Sequence, residues 1–292
     1  MQLLSACTFA CLLSINTAYS ERRERSGFPK FPLNTCGSRV VHWKPQRSPR
    51  IIGGQEPPLG AVPWQVELRL GDNHQCGGAL ISRRLILSAA HCYSEGLTAA
   101  VGTHGAPGVS PHEQVLKVEK FISHPDFRKL GPYSHDLALV LVSAPGFKMN
   151  DMVKPACFSE ESASPGTWCE VSGWGATDPK IADRLSPVLK LQPFQLSPWR
   201  SAGRRVYTGE GNSTILDSML CAGHLKGGID ACGGDSGGPL ICERDGRLEL
   251  TGIVSWGDGC AKKNRPGIYT RVSSFAPWIR ESAIELGVDY EF

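Results

Sequence analysis

The stretch GGIDACGGDSGGP (227–239) sets Ser236 among glycines, with Asp235 directly before it and Asp230 six positions earlier. A serine hydroxyl becomes a nucleophile only when a base takes its proton, and a carboxylate adjacent in sequence is poorly placed to do so. The base must come from elsewhere in the chain. Two other segments hold candidates: LSAAHC places His91 beside Cys92, and HDLALV places Asp136 at the head of an apolar run. Taken singly, each has an ordinary reading, as a structural histidine, a capping aspartate and a loop serine.

The elements that must position these groups are mostly strands. From residue 51 onward, alternating runs such as WQVELRL (64–70) and LKVEKFI (116–122) are separated by Gly, Pro, Asn and Asp clusters. LALVLV (137–142) and LTGIVSW (250–256) fit more deeply buried strands. Many short strands punctuated by turns predict a sandwich or barrel. One helix is expected near the end, in SSFAPWIRESAIEL (273–286). Ser273 or Ser274 would cap it, with Phe275, Trp278, Ile279 and Ile284 toward one face.

The chain has 292 residues, room for a sizeable core in one large or two small domains. Its first twenty residues carry no charged side chain, run apolar from Leu3 to about Ala18, and end in the small-x-small pattern Ala18-Tyr19-Ser20. Residues 1–20 are therefore expected to be a cleaved signal peptide of a secreted, extracellular protein. No other stretch suits a membrane span. Residues 21–50 form a separate segment with eight Lys/Arg, two Glu and four prolines. Removing its +6 from the net charge of +3 leaves residues 51–292 at −3, so nothing marks a nucleic-acid-binding face.

Cys7 and Cys11 leave with the signal, and nine of the eleven cysteines remain. In a secreted chain these are disulfides before they are metal ligands, and no pair has the C-x-x-C spacing of a zinc site. Nine is odd, so one thiol lacks a partner within the chain.

The order His, Asp, Ser and the motifs RIIGG, AAHC, SGWG, GDSGGP, VSWG and PGIYTRV resemble the trypsin-like (chymotrypsin-family) serine proteases over about residues 51–286. The resemblance implies an all-β fold of two packed antiparallel six-stranded β-barrels with a C-terminal α-helix, the protease domain spanning 51–292. It implies that Ser236 attacks the peptide carbonyl, that His91 shuttles the proton, and that Asp136 orients the imidazole and stabilises its cation. Backbone N–H groups of Gly234 and Ser236 would form the oxyanion hole, which a side chain at 234 would obstruct.

The resemblance also separates the two remaining aspartates. Such proteases are made as zymogens cut before a segment like IIGG, here after Arg50. The new ammonium of Ile51 would pair with Asp235, giving a buried carboxylate its cation and ordering the site. Residues 21–50 would then be a pro-segment that stays attached as a short light chain. Asp230 matches the carboxylate at the floor of the specificity pocket. Gly257 and Gly267 match the pocket walls, and Ser255, Trp256 and Gly257 offer backbone to an added substrate strand. A buried anion in an open slot selects Arg or Lys before the scissile bond. Expected partners are protein or peptide substrates of that kind, an activating protease and protein protease inhibitors. The alternative is a catalytically silent homologue acting as a binding module.

The resemblance suggests disulfides Cys36–Cys157, Cys76–Cys92, Cys169–Cys242 and Cys232–Cys260. Cys221 in MLCAGH is left unpaired, because relatives place its partner in the stretch matching 191–211, where this chain has no cysteine. Either the partner was lost in this lineage or the stretch itself is altered. Asn212-Ser213-Thr214 is a glycosylation sequon. A calcium loop of the trypsin type uses two acidic residues; the matching positions here are Thr103 and Glu113, so neither calcium nor any other metal or cofactor is expected.

Overall fold

Strand β1 shows how far the chain departs from simple alternation. It runs Gln65–Leu70, and Val66 and Leu68 are fully buried as the pattern predicts. The intervening polar residues Gln65, Glu67 and Arg69 are buried as well, at 3%, 5% and 3% exposure. One face of the strand meets the barrel core, while the other is covered by the rest of the molecule and not by water. β5 (Gln114–Ser123), by contrast, does alternate between half-buried and exposed positions at its start.

The structure is a computed structural model that describes residues 36–45, 54–105, 107–177, 181, 184–197, 215–228 and 230–288. The expected signal peptide, Arg50, Ile51 and Asn212 lie outside the described residues. Among these described residues no helix is long and apolar enough to cross a membrane.

β1 pairs with β2 (Asn73–Leu80), followed by β3 (Leu85–Ser88), β4 (Leu97–Val101), β5 and β6 (Ala138–Val142). All pairings are antiparallel, and the order β1-β2-β3-β6-β5-β4 closes into a barrel. The second six strands are β7 (Trp168–Gly173), β8 (Lys190–Gln195), β9 (Met219–Ala222), β10 (Pro239–Arg244), β11 (Arg247–Trp256) and β12 (Gly267–Arg271). They form an antiparallel sheet in the order β8-β7-β10-β11-β12-β9. Leu196, just past β8, bridges to Ala222 of β9, so the two edges of this sheet meet in a barrel-like form. The described residues are all-β, with two six-stranded antiparallel units and one C-terminal helix.

Trp174, Leu191, Ile241, Leu250 and Ile253, from the second unit, belong to the same apolar cluster as Val66, Leu80, Leu87 and Leu139 of the first. Burying each such side chain contributes roughly 1.5–3 kcal/mol, so the faces that meet between the units are themselves core. A separate cluster around Val171, Phe194, Leu220, Leu240 and Tyr269 fills the second unit.

The helix α1 spans Ala276–Glu285 and begins later than its sequence predicts. Ser273 and Ser274 lie in a preceding 3-10 turn, Val272–Phe275, and neither side chain caps the helix. Phe275, Ile279 and Ala283 form the buried stripe, while Ile284 is 57% exposed, not on the buried face. At 100° per residue, Ile284 lies about 140° round the axis from the centre of the buried stripe.

Residues 36–45 are held at several points, among them backbone hydrogen bonds of Gly37 and an ion pair of Lys44 with Glu243. Cys36 bonds to Cys157, and the buried Arg39 makes two hydrogen bonds to Glu170 of β7, at 2.9 and 3.1 Å. The other disulfides are Cys76–Cys92, Cys169–Cys242 and Cys232–Cys260. Cys221, on β9, is unbonded and 1% exposed against Met219 and Ile268. Burial pushes its thiol up to about 12, so it stays protonated and unavailable for exchange between chains.

Candidate active site

β3 ends at Ser88, and the 3-10 turn Ala90–Cys92 follows, fixed to β2 through Cys76–Cys92. That turn presents His91. Asp136 lies two positions before the wholly buried β6 and is itself fully buried. Its two oxygens are well supplied: Oδ1 accepts the His91 backbone N–H at 3.0 Å, and Oδ2 lies 2.7 Å from His91 Nδ1. The Ser255 hydroxyl donates to Oδ2 at 2.5 Å, and Thr270 donates to the Asp136 carbonyl at 2.7 Å. A buried carboxylate facing Nδ1 fixes that nitrogen as the donor, leaving Nε2 free to accept a proton. No motif marks the side chains of Ser255 and Thr270 for this role, and the family resemblance gives Ser255 a backbone role alone.

Ser236 lies in the loop between β9 and β10, half-buried, and this loop is pinned along its backbone. Gly77 of β2 donates to the Ser236 carbonyl at 2.7 Å, and Gly237 donates to the Val254 carbonyl at 2.8 Å. Gly234 has φ +93°, and a Cβ there would lie 2.5 Å from Leu185 Cδ2. The turn therefore requires glycine on both backbone and steric grounds. Behind the loop, Asp235 accepts the N–H groups of Gly175 (2.8 Å) and Cys232 (3.0 Å). Burial raises its pKa, opposed by those two hydrogen bonds and by His74. Among the described residues no cation lies within ion-pair distance of it.

Asp230 and Asp235 line one cavity together with Val171, Gly173, Gly175 and Phe194. Oδ2 of Asp230 accepts the Ala261 N–H at 3.2 Å, while its buried Oδ1 has no well-formed hydrogen bond among the described residues. Burial pushes its pKa up to about 7, backbone donors oppose this, and neighbouring Asp235 adds to it. A Cβ on Gly267 would come within 3.0 Å of Oδ1, so glycine keeps the approach to that oxygen clear. The disulfide Cys232–Cys260 braces both sides of this site. Tyr133 stacks on Trp256, and its edge meets the His91 ring, giving a partly apolar flank.

Cys76, His91 and Cys92 also cluster, but both sulfurs are spent in the disulfide. Thr103 and Glu113, the positions matched to a calcium loop, both face Arg69 (3.4 and 2.6 Å), and the second Glu113 oxygen accepts the Gly108 N–H.

The trypsin family model matches residues 51–279. Rat trypsin-4 is 39% identical over 234 residues, covering 80% of this chain and 90% of the relative. Pig trypsin is 37% identical over 233 residues, covering 80% and 95%. Dog hepatocyte growth factor activator serine protease is 35% identical over 257 residues, which cover 85% of this chain but 38% of that protein. With the two six-stranded units, the pairing of His91 with the buried Asp136 and the glycine-flanked Ser236 in view, these likenesses show that the chain belongs to the trypsin family of serine proteases and is a serine endopeptidase.

Proposed function

We propose that this enzyme is a secreted zymogen, activated by cleavage after Arg50, that hydrolyses peptide bonds following Arg or Lys. His91, Asp136 and Ser236 act as its triad. His91 takes the Ser236 proton as Oγ adds to the carbonyl, and the N–H groups of Gly234 and Ser236 receive the negative charge forming on the carbonyl oxygen. The imidazolium then protonates the departing amine, and water repeats the sequence on the acyl-enzyme. Asp136 stabilises that imidazolium, and the Ser255 hydroxyl holds the aspartate in place.

The observation that carries the specificity reading is the Oδ1 of Asp230 beside Gly267, without a well-formed hydrogen bond among the described residues. A guanidinium or ammonium entering the pocket would supply the missing donors and the counter-charge, whereas an apolar side chain would leave the carboxylate unpaired. The buried Asp235, without a cation among the described residues, supports the activation reading: an Ile51 ammonium freed at Arg50 is a suitable partner. Four disulfides and the apolar leader support secretion. The same reading makes residues 21–50 a tethered light chain, with 1–20 removed, and expects glycosylation at Asn212, an activating protease and protein inhibitors as partners.

The test is amide hydrolysis by the secreted protein, cut at Arg50, on matched substrates ending in Arg, Lys and Phe. Turnover of Arg and Lys with Phe near zero is expected. No turnover with a verified Ile51 amino terminus, and no labelling of Ser236 by a fluorophosphonate, would refute the reading in favour of a silent binding homologue.

A further inference from the structure

Four ionisable side chains that the mechanism above does not use form a buried chain ending at the oxyanion loop. Arg69 on β1 reaches Glu67 and Glu113, each at 2.6 Å. Glu67 Oε1 lies 3.0 Å from Nδ1 of His74, on β2. Nε2 of the same ring lies 2.7 Å from the carbonyl oxygen of Gly234. The four side chains are between 4% and 9% exposed.

The chemistry of the two ends fixes the state of the ring. An ionised carboxylate and a carbonyl only accept, so both imidazole nitrogens must donate, and a histidine that donates twice is a cation. Charge balance agrees: two carboxylates and one guanidinium leave one positive charge wanting, which the imidazolium supplies. Burial opposes the charged ring, but Glu67, the Gly234 carbonyl and the field of Asp235 outweigh it, and the His74 pKa is raised. Arg69 is likewise raised by its two carboxylates against burial, and Glu67 is lowered by His74 and Arg69. Trp174 packs against the ring at 5.7 Å, closing the remaining side.

We propose that His74 is a positioning residue for catalysis: as a doubly donating cation fixed by Glu67, it grips the Gly234 carbonyl and so holds the peptide that orients the oxyanion donors. The inference rests on the oxyanion role of Gly234 given above. Gly234 already sits at φ +93°, held from behind through Asp235. The grip of His74 from the first barrel prevents rotation of the Gly234–Asp235 peptide about its neighbours. Glu113 and Arg69 act one step back, keeping Glu67 ionised and aimed. Buried ion groups contribute little net stability over apolar replacements, which leaves geometry as what this network supplies.

The test uses the full chain cut after Arg50, comparing wild type with His74→Phe, which keeps a ring against Trp174 and donates nothing. Four quantities are read with active-site-titrated enzyme: kcat and KM on an arginyl amide, affinity for an arginyl boronate that forms a tetrahedral adduct on Ser236, and affinity for benzamidine. A kcat loss on the order of tenfold to hundredfold is expected, with boronate affinity falling in step and benzamidine affinity unchanged within about twofold. Equal losses for boronate and benzamidine, or an unchanged kcat, would overturn the proposal. Nitrogen-15 spectra of wild type at pH 8 supply a readout independent of the variant's folding: two protonated ring nitrogens on His74 are expected, and one overturns it. An inert wild type would bring down the protease reading and this inference together, whereas an active wild type with an indifferent His74→Phe brings down this one alone.

Discussion

Two aspartates, Asp136 between the barrels and Asp230 below the pocket, meet opposite treatment from the fold. Asp136 receives a backbone N–H, an imidazole and a hydroxyl on its carboxylate. Asp230 is met by backbone N–H groups alone, that of Ala261 at 3.2 Å, and among the described residues no side chain or well-formed hydrogen bond completes its Oδ1. Burial costs both carboxylates solvation, and more so Asp136, which is fully buried where Asp230 is half-buried. What differs is where the compensation comes from: the chain itself in one case, an incoming cation in the other. A carboxylate completed internally is part of the machine, and one left incomplete is addressed to a ligand.

Replacing Asp136 by Asn would break the first half of this comparison most severely. With Nδ1 no longer held as the donor, kcat should fall roughly 10⁴-fold, the size known for this change in the chymotrypsin triad template, while KM changes little. Steady-state kinetics on an arginyl amide would check it, and a fall below tenfold would remove Asp136 from the assigned role. Asp230→Ser should act on the second half alone. kcat/KM for Arg and Lys substrates should drop on the order of 10²–10³-fold, since the substrate cation is left without its buried partner, and reactivity toward a fluorophosphonate should survive. Parallel loss of labelling would mean the pocket and the nucleophile are one structural unit.

The half-completed site should also be visible in its pH dependence. Burial makes proton loss from Asp230 difficult, so its carboxyl is protonated below about pH 7 in the empty protein. A bound cation favours the ionised form, so benzamidine binding must release a proton there. Its association constant should fall about tenfold per pH unit below pH 7 and level off above it; a flat profile would show that Asp230 is ionised throughout. For the empty protein the sign is opposite. A raised carboxyl pKa lowers folding stability as pH climbs from about 4, where the unfolded group ionises, to about 7.

Cys221→Ala touches neither aspartate and should have the smallest effect. Removing a buried sulfur costs about 1 kcal/mol in transfer and cavity energy, a fall of roughly 2–4 °C in Tm for a domain of this size, with kcat and KM unchanged. Calorimetry and kinetics on one preparation would separate the two. A lost activity would tie β9 to the pocket mechanically.

The unequal legibility of the molecule follows the same division. His91, Asp136, Ser236, Asp230 and Asp235 sit in short motifs with tight local spacing, so the sequence exposes them. Ser255 Oγ and Thr270 reach Asp136 from 119 and 134 residues away in the chain, and no local pattern marks a side chain that works at such separation. Alternation in β1 correctly indicates a strand but misleads about Glu67 and Arg69, because it assumes that the second face meets water. In α1 the serines suggest an earlier start, yet Pro277 and the 3-10 turn delay it. Local propensity yields to packing there.

The several contacts of residues 36–45 make that segment a multivalent ligand of its own protein. If the bond after Arg50 is cut, Cys36–Cys157 and the Arg39–Glu170 fork become independent attachments of one peptide. With either broken, the other keeps the freed end at high local concentration, so rebinding outruns escape. Nicking followed by mild reduction should therefore release the peptide slowly, and the enzyme would carry its own fragment well after the covalent links are gone.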